Sequence, residues 1–379
     1  MKISFIVVDI TAKAGTERTT TLLANTLLKK GHEVRIISLF RQNISPAFFL
    51  EKEVDIVYVT CESYSIHSPL IKRLLRIIRS FFSFREMMRK NDSGLFIGQN
   101  FLANLYLYFS GFSKKSIACE HNLYDIYPSP ILFFREYVYQ SFYKMVSLTE
   151  KDADKFRRRL KNVEVIPNML TFTPKGKADL TSKRILSIGR LSNQKGYDLL
   201  LEAVKYIWKD YPDWHLDIFG EGEMHAFLAE KIKRYNMEQY VFLKGYTQDV
   251  ISEYLSSSIY VMSSRFEGFP MSLLEATSCG LPIVSFDCPE GPARGLPFFS
   301  LDCRKGPADI IGEDRGILVP PEDISGLKTA LIKLMDSLDR RNEYGENGRS
   351  FVLQNYNSEA VYKKWDMLFR SFVNSRSDM

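Results

Sequence analysis

The opening forty residues, MKISFIVVDITAKAGTERTTTLLANTLLKKGHEVRIISLF (Met1–Phe40), carry the pattern that decides the fold. Lys2–Asp9 is an almost unbroken apolar run, as a strand covered on both faces requires. A glycine-bearing loop around Gly15 follows. The amphipathic stretch TLLANTLLKK comes next, closed by Gly31 where a helix ends in a left-handed residue. Glu33–Leu39 is a second apolar run. Strand, loop, helix, strand makes a βαβ unit, and Val54–Thr60 and Gly94–Asn100 supply further strands of the same kind. The spacing predicts a doubly wound, parallel α/β domain.

The pattern restarts near residue 183. Ile185–Arg190 reads as a strand, Tyr197–Pro212 as a helix ended by its Tyr-Pro, and Trp214–Glu223 as a strand running into a glycine turn. Three further short strands lie in VFLKGY, SIYVMSSR and LPIVSFD. The parse is an N-terminal domain of residues 1–170 and a second α/β domain of residues 171–355, joined near Pro167–Pro174. A helical tail, 356–379, carries Val361, Trp365, Leu368 and Phe372 on one face and is expected to pack back on the first domain. Sheets of this type bind ligands beyond the carboxyl ends of their strands, so two such domains predict a central cleft.

Composition narrows the class. With 379 residues, 45% hydrophobic and 25% charged, the chain can fill two cores. The net charge of +6 is uneven: residues 1–170 hold 25 Lys and Arg against 16 Asp and Glu, and the remainder 26 against 29. A basic half suits nucleic acid, an anionic membrane or a phosphorylated substrate. No recognised nucleic-acid module accompanies the charge, so no nucleic-acid partner is expected. The five cysteines are odd in number and lack C-x-x-C spacing, which argues against a disulfide framework or zinc site and for a reducing cytosol. No apolar stretch reaches the roughly 18 residues of a membrane-spanning helix.

Two segments of the second half carry chemistry. In Ser264–Val284, SRFEGFPMSLLEATSCGLPIV, Glu267 and Glu275 stand eight apart. Gly268 and Pro270 keep Glu267 on a loop, and MSLLEATS starts a helix with Glu275 about one turn inside. The stretch Gly268, Phe269, Pro270, Met271, Ser272 and Leu273 forms a helix N-terminus whose backbone is suited to a diphosphate. Glu275 suits a ribose and Glu267 a transferred sugar; as isolated glutamates, both also suit surface or capping roles. In IGRLSNQKGYD, Arg190 and Lys195 follow a strand and precede a helix, where they can neutralise a departing diphosphate or simply be solvated. Asp152 and Asp154 of KDADK read as a solvated helix face, and no metal site is expected.

The order GRL-x-x-QKG, FGEGE, GYTQDV, SRFEGFPMSLLEA and GILVPPED resembles family 4 of the retaining glycosyltransferases, which have the two-domain GT-B fold. Gly15–Arg18, Glu120–Asn122, Ser147–Asp152 and Val165–Asn168 match more loosely, so the resemblance spans nearly the whole chain. It implies that Arg190 and Lys195 hold the donor diphosphate, Glu275 the ribose, and Glu267 and His121 the transferred sugar. Gly15 would lie under phosphate or acceptor. It also implies transfer of a hexose or N-acetylhexosamine from a UDP-sugar to a saccharide or polyprenyl-linked glycan, without metal or other cofactor. The SFDCPEGPA wording resembles the branch that builds bacterial surface polysaccharides, lipopolysaccharide and capsule among them. An epimerase of the same fold and an inactive membrane-associated homologue are the alternatives.

Leu70–Lys90 carries seven basic residues and one Glu, with Leu70, Leu74, Ile77, Ile78, Phe81 and Phe84 at helical spacing. It reads either as an interfacial helix on an anionic membrane or as an ordinary packing helix. The first reading places the protein in the cytoplasm, peripheral to the plasma membrane's inner face. Finally, Gly280–Ala293 and Gly295–Ala308 match at nine of fourteen positions, a tandem duplication whose second copy is expected to bulge away from the site.

Overall fold

The computed structural model describes residues 1–64, 69–90, 94–121, 124, 127–288 and 307–377. In chain order its elements are β1 (Lys2–Val7), α1 (Gly15–Lys29), β2 (Glu33–Ser38), β3 (Asp55–Tyr58), α2 (Leu70–Arg89), β4 (Leu95–Gly98), α3 (Phe101–Phe109), β5 (Ser116–Glu120), α4 (Ser129–Tyr139), β6 (Lys144–Ser147), α5 (Glu150–Arg157) and β7 (Val163–Val165). Then follow β8 (Arg184–Ile188), α6 (Tyr197–Val204), β9 (His215–Phe219), α7 (His225–Arg234), β10 (Val241–Gly245), α8 (Val250–Leu255), β11 (Ile259–Met262), α9 (Met271–Ser278), β12 (Ile283–Phe286), α10 (Pro307–Ile311), β13 (Gly316–Val319), α11 (Ile324–Met335), α12 (Leu338–Asn355) and α13 (Ser358–Ser377). The chain divides into two compact units, Met1–Thr171 with Ser358–Met379, and Phe172–Asn357. The first unit ends one residue beyond the expected boundary at 170, and the second ends two residues beyond that at 355.

The first unit is a seven-stranded parallel sheet in the order β3-β2-β1-β4-β5-β6-β7. Strand β1 explains why its sequence is apolar throughout. Ile3, Phe5 and Val7 face a core completed by Leu23 and Leu27 of α1 and by Val361, Trp365, Leu368 and Phe372 of α13. Ile6 faces the opposite core, with Phe84 and Met88 of α2, Phe101 of α3, Tyr139 of α4 and Phe156 of α5. The tail thus belongs to the first unit's core, as its apolar stripe predicts. Gly31 ends α1 at φ +82°, a backbone that side-chain-bearing residues avoid.

The second unit is a six-stranded parallel sheet in the order β10-β9-β8-β11-β12-β13. Its first helix is shorter than the sequence pattern implies. Regular α6 stops at Val204, and the chain continues in tight turns, with Ile207 and Asp210 amides donating to carbonyls three residues back. Trp208, beyond the regular helix, stacks on Tyr240, with ring centroids 5.5 Å apart. The strand expected to reach Arg190 ends at Ile188.

Two other expectations are corrected. Asp152 is not on a solvated face: its side chain is buried and accepts from the Tyr124 amide at 3.2 Å, with Lys155 at 3.8 Å, whereas Asp154 is exposed. Along α2, Phe84 belongs to the core, and the exposed apolar stripe is displaced from the expected one. The duplicated segment lies mostly outside the described residues. Of the second copy only Pro307 and Ala308 are described, at the start of α10.

Candidate active site

In the second sheet the strand order reverses between β8 and β11, the place where doubly wound sheets leave a crevice for ligands. Arg190 and Lys195 follow β8; Ser264 and Glu267 follow β11. Lys195 Nζ donates to Glu267 Oε1 at 2.6 Å, and Ser264 Oγ donates to the same oxygen at 2.7 Å. Glu267 is buried and Lys195 partly so, which keeps the pair out of bulk water. The two loops are stitched along their length. The Arg265 amide donates to the Gln194 carbonyl, Gln194 Nε2 to the Phe266 carbonyl, and the Arg265 guanidinium forks onto Asp198 at 2.8 and 2.7 Å. At Gly196, φ +63°, an added Cβ would lie 2.0 Å from the Ser263 carbonyl oxygen, so only glycine lets the loops meet.

The loop after β9 supports Arg190 from the other side. The Leu191 amide donates to the Glu221 carbonyl at 2.9 Å, and a Cβ on Gly220 would stand 1.9 Å from the Gly189 oxygen. Arg190 itself is exposed, and its side chain bonds to none of Lys195, Glu267 or Glu275. Lys195 lies over Gly189, where an added Cβ would be 3.3 Å from its Cε.

Helix α9 begins directly after Gly268, Phe269 and Pro270, and no side chain caps its first turn at Met271, Ser272 and Leu273. Its open amides and the positive end of its dipole are available to an anion. Glu275, one turn in, is buried, and the Tyr254 hydroxyl lies 3.2 Å from both its Oε2 and the Ser272 carbonyl. The hydroxyl of Tyr260, on β11, donates to the Ile188 carbonyl at 3.2 Å. Burial chiefly, with the charges of Glu275 and Glu267 adding, pushes its phenol well above the usual range.

In the first sheet the order reverses between β1 and β4. His121, just beyond β5, bonds through Nε2 to Gln99 Oε1, just beyond β4. Both line a cavity of about 30 Å³ with Thr19 of α1 and Asn168 beyond β7, space for one water. Burial lowers the imidazole to about 4, so His121 is neutral near neutral pH. Gly15 starts α1 with open space at its Cα. Two residues on, Glu17 is buried with an unpartnered Oε2; burial chiefly, and Asp9 further, raise its carboxyl to about 7.

Of the sequence-derived set, the structure joins Lys195 to Glu267 and places Glu275 and the α9 N-terminus in the same unit. It puts His121 and Gly15 in the other unit. Sequence reasoning missed Ser264, Tyr254 and Tyr260. Ser264 had a signal, three residues before Glu267 at a strand end. Tyr254, on a separate helix, had none. Among the described residues no group of His, Cys, Asp and Glu is arranged to hold a metal ion.

Two doubly wound parallel units with cations and carboxylates at a switch point define the GT-B class of glycosyltransferases. The Staphylococcus aureus TarM structure, a variant in complex with fondaparinux, α-GlcNAc-glycerol and UDP, shares this fold at a TM-score of 0.76. The match is 16% identical and covers 97% of this chain and 100% of that one. Residues 14–171 match the family described as Glycosyltransferase Family 4, and residues 170–294 match Glycosyl transferases group 1. An uncharacterised glycosyltransferase of Haemophilus influenzae is 32% identical over 375 residues, 96% of this chain and 98% of that protein. The amylovoran biosynthesis glycosyltransferase AmsD of Erwinia amylovora is 28% identical over 378 residues, with the same coverage. The chain belongs to family 4 of the glycosyltransferases.

Proposed function

We propose that the protein is a retaining glycosyltransferase that moves a hexose or N-acetylhexosamine from a UDP-sugar to a saccharide or polyprenyl-linked glycan during surface-polysaccharide assembly. The observation that carries this reading is the convergence of Lys195, Ser264 and Glu267 at the β8/β11 switch point, beside the uncapped start of α9. Arg190, Lys195 and the α9 amides meet the diphosphate, Glu275 the ribose hydroxyls, and Glu267 the sugar hydroxyls. Neutral His121 and Gly15 serve the sugar and acceptor from the first unit. TarM, which shares the fold, is seen with UDP, and AmsD is named for amylovoran biosynthesis; both support the donor and product class.

In this reaction the acceptor oxygen forms its bond to the anomeric carbon as the bond from that carbon to the diphosphate oxygen breaks, on the same face. The acceptor proton passes to the departing phosphate oxygen. The leaving group gains negative charge, and fixed cations and amides stabilise it in place of a metal ion. Glu267, already engaged by Lys195 and Ser264, acts as a hydrogen-bonding partner and not as a nucleophile.

Incubation with UDP-sugars, with and without saccharide acceptors, tests the reading. UDP is released only with acceptor, and the product keeps the donor's anomeric configuration by NMR. Glu275→Ala raises the donor KM, and Glu267→Ala mainly lowers kcat. Acceptor-independent release with an epimerised sugar would establish the epimerase instead, and inverted product would refute retention.

A further inference from the structure

We propose that α2 and α4 together form a docking face for an anionic lipid bilayer, a surface wider than the single basic helix and independent of the transferase reading. Helix α2 is held to the unit along one side, through Arg76 to Glu62 and the Ser63 carbonyl and through Ile77, Ser80, Phe84 and Met88. Its opposite side is exposed. Leu70, Ile71, Leu74, Leu75, Ile78 and Phe82 are between 43% and 74% exposed. Soluble surfaces scatter such residues singly. Here, of twenty exposed large apolar or aromatic side chains among the described residues, eleven lie on α2, α3 and α4.

The patch is continuous. Helix α3 packs between the other two. Phe81 of α2 stacks edge-on against Tyr106 and Phe109 of α3, and Phe101 of α3 against Phe134 of α4. Beyond it α4 presents Ile131, Phe133, Phe134 and Tyr137, and α3 presents Phe109. The outer face of α4 is thus solvent-exposed.

Charge selects the occupant. Lys72, Arg79, Arg85 and Arg89 of α2 are exposed and have no carboxylate partner among the described residues, and α2 has one acidic residue, Glu86. On the α4 side, the Arg159 guanidinium lies 4.1 Å over the Phe133 ring. Basic groups beside half-exposed aliphatic and aromatic side chains match a layer of anionic headgroups over acyl chains. A second copy of this chain would set cations against cations, which opposes self-association through this face.

The test is flotation of the full chain with vesicles of phosphatidylcholine alone or mixed with phosphatidylglycerol. Binding is expected to the mixed vesicles only and to fall with added salt. Leu74→Ser with Phe82→Ser, and separately Ile131→Ser with Phe133→Ser, should each lower partitioning on the order of tenfold while circular dichroism stays unchanged. If either pair disturbs the fold, Ile71→Trp and Phe133→Trp serve instead: both indoles shift to shorter emission and are quenched by brominated lipid. Failure to bind, equal binding to neutral vesicles, quenching of only one indole, or loss confined to the α2 pair each overturns the proposal. Self-association through this face without vesicle binding does so in favour of a second copy.

Discussion

Replacing Glu17 by Gln should stabilise the first unit at alkaline pH and leave it nearly unchanged in mild acid. Glu17 sits in the first turn of α1, 6% exposed, with Oε2 lacking any partner and Asp9 as a neighbouring carboxylate. Burial chiefly lifts its ionisation from 4.5 to about 7. The folded state therefore keeps a proton that the unfolded chain has lost between these values. The stabilising contribution is complete below 4.5 and vanishes as pH rises through about 7. Each unit of displacement is worth about 1.4 kcal/mol, so the carboxylate costs the folded state on the order of 3 kcal/mol by about pH 8. Glutamine keeps the shape and removes the charge. Urea denaturation followed by circular dichroism, at about pH 5 and about pH 8, compares the two proteins. A variant whose advantage appears only at the higher pH supports the argument. One that tracks the parent at both values, or loses more at the higher, refutes it. His121 titrates with the opposite sign: burial depresses it, so its contribution is lost as pH falls from 6.5 through about 4. The comparison of variant with parent cancels that background.

Three further outcomes follow from the geometry. Arg135→Met removes the cation from the fully buried ion pair with Glu120 at 3.3 Å, and should destabilise by about 3–5 kcal/mol in denaturant titration. Gly220→Ala drives a Cβ to 1.9 Å from the Gly189 oxygen, so donor turnover should fall sharply as the Arg190 loop is displaced; an active variant of unchanged KM would contradict this support. Tyr254→Phe removes the hydroxyl beside Glu275 and should raise the donor KM severalfold with little change in kcat, measured by initial rates.

Much of the fold is legible locally. The apolar run of β1 shows burial on both faces, because every residue must meet one core or the other. Gly31 marks the end of α1 because its φ is positive. The α13 stripe shows that the tail is packed. Glu267 and Glu275 stand out by their spacing around Gly268 and Pro270. Local pattern fails where distant chain supplies the partner. Asp152 looks solvated on its own helix, yet the Tyr124 amide buries it. The helical period runs through Trp208, yet regular α6 ends at Val204 and Trp208 stacks on Tyr240.

The sequence by itself determined the opening βαβ unit, that two parallel α/β units follow one another, and which residue types could meet a sugar diphosphate, since these depend on periodicity and side-chain chemistry within a few residues. Tertiary structure alone decided strand order, and with it the switch point that sets Lys195 against Glu267 across 72 residues of chain. It alone decided that Tyr254 backs Glu275, and that one face of α2 is core while another is bare. Hydrogen-bond pairing between strands and the packing of helices on them are long-range choices. No window of sequence contains both partners.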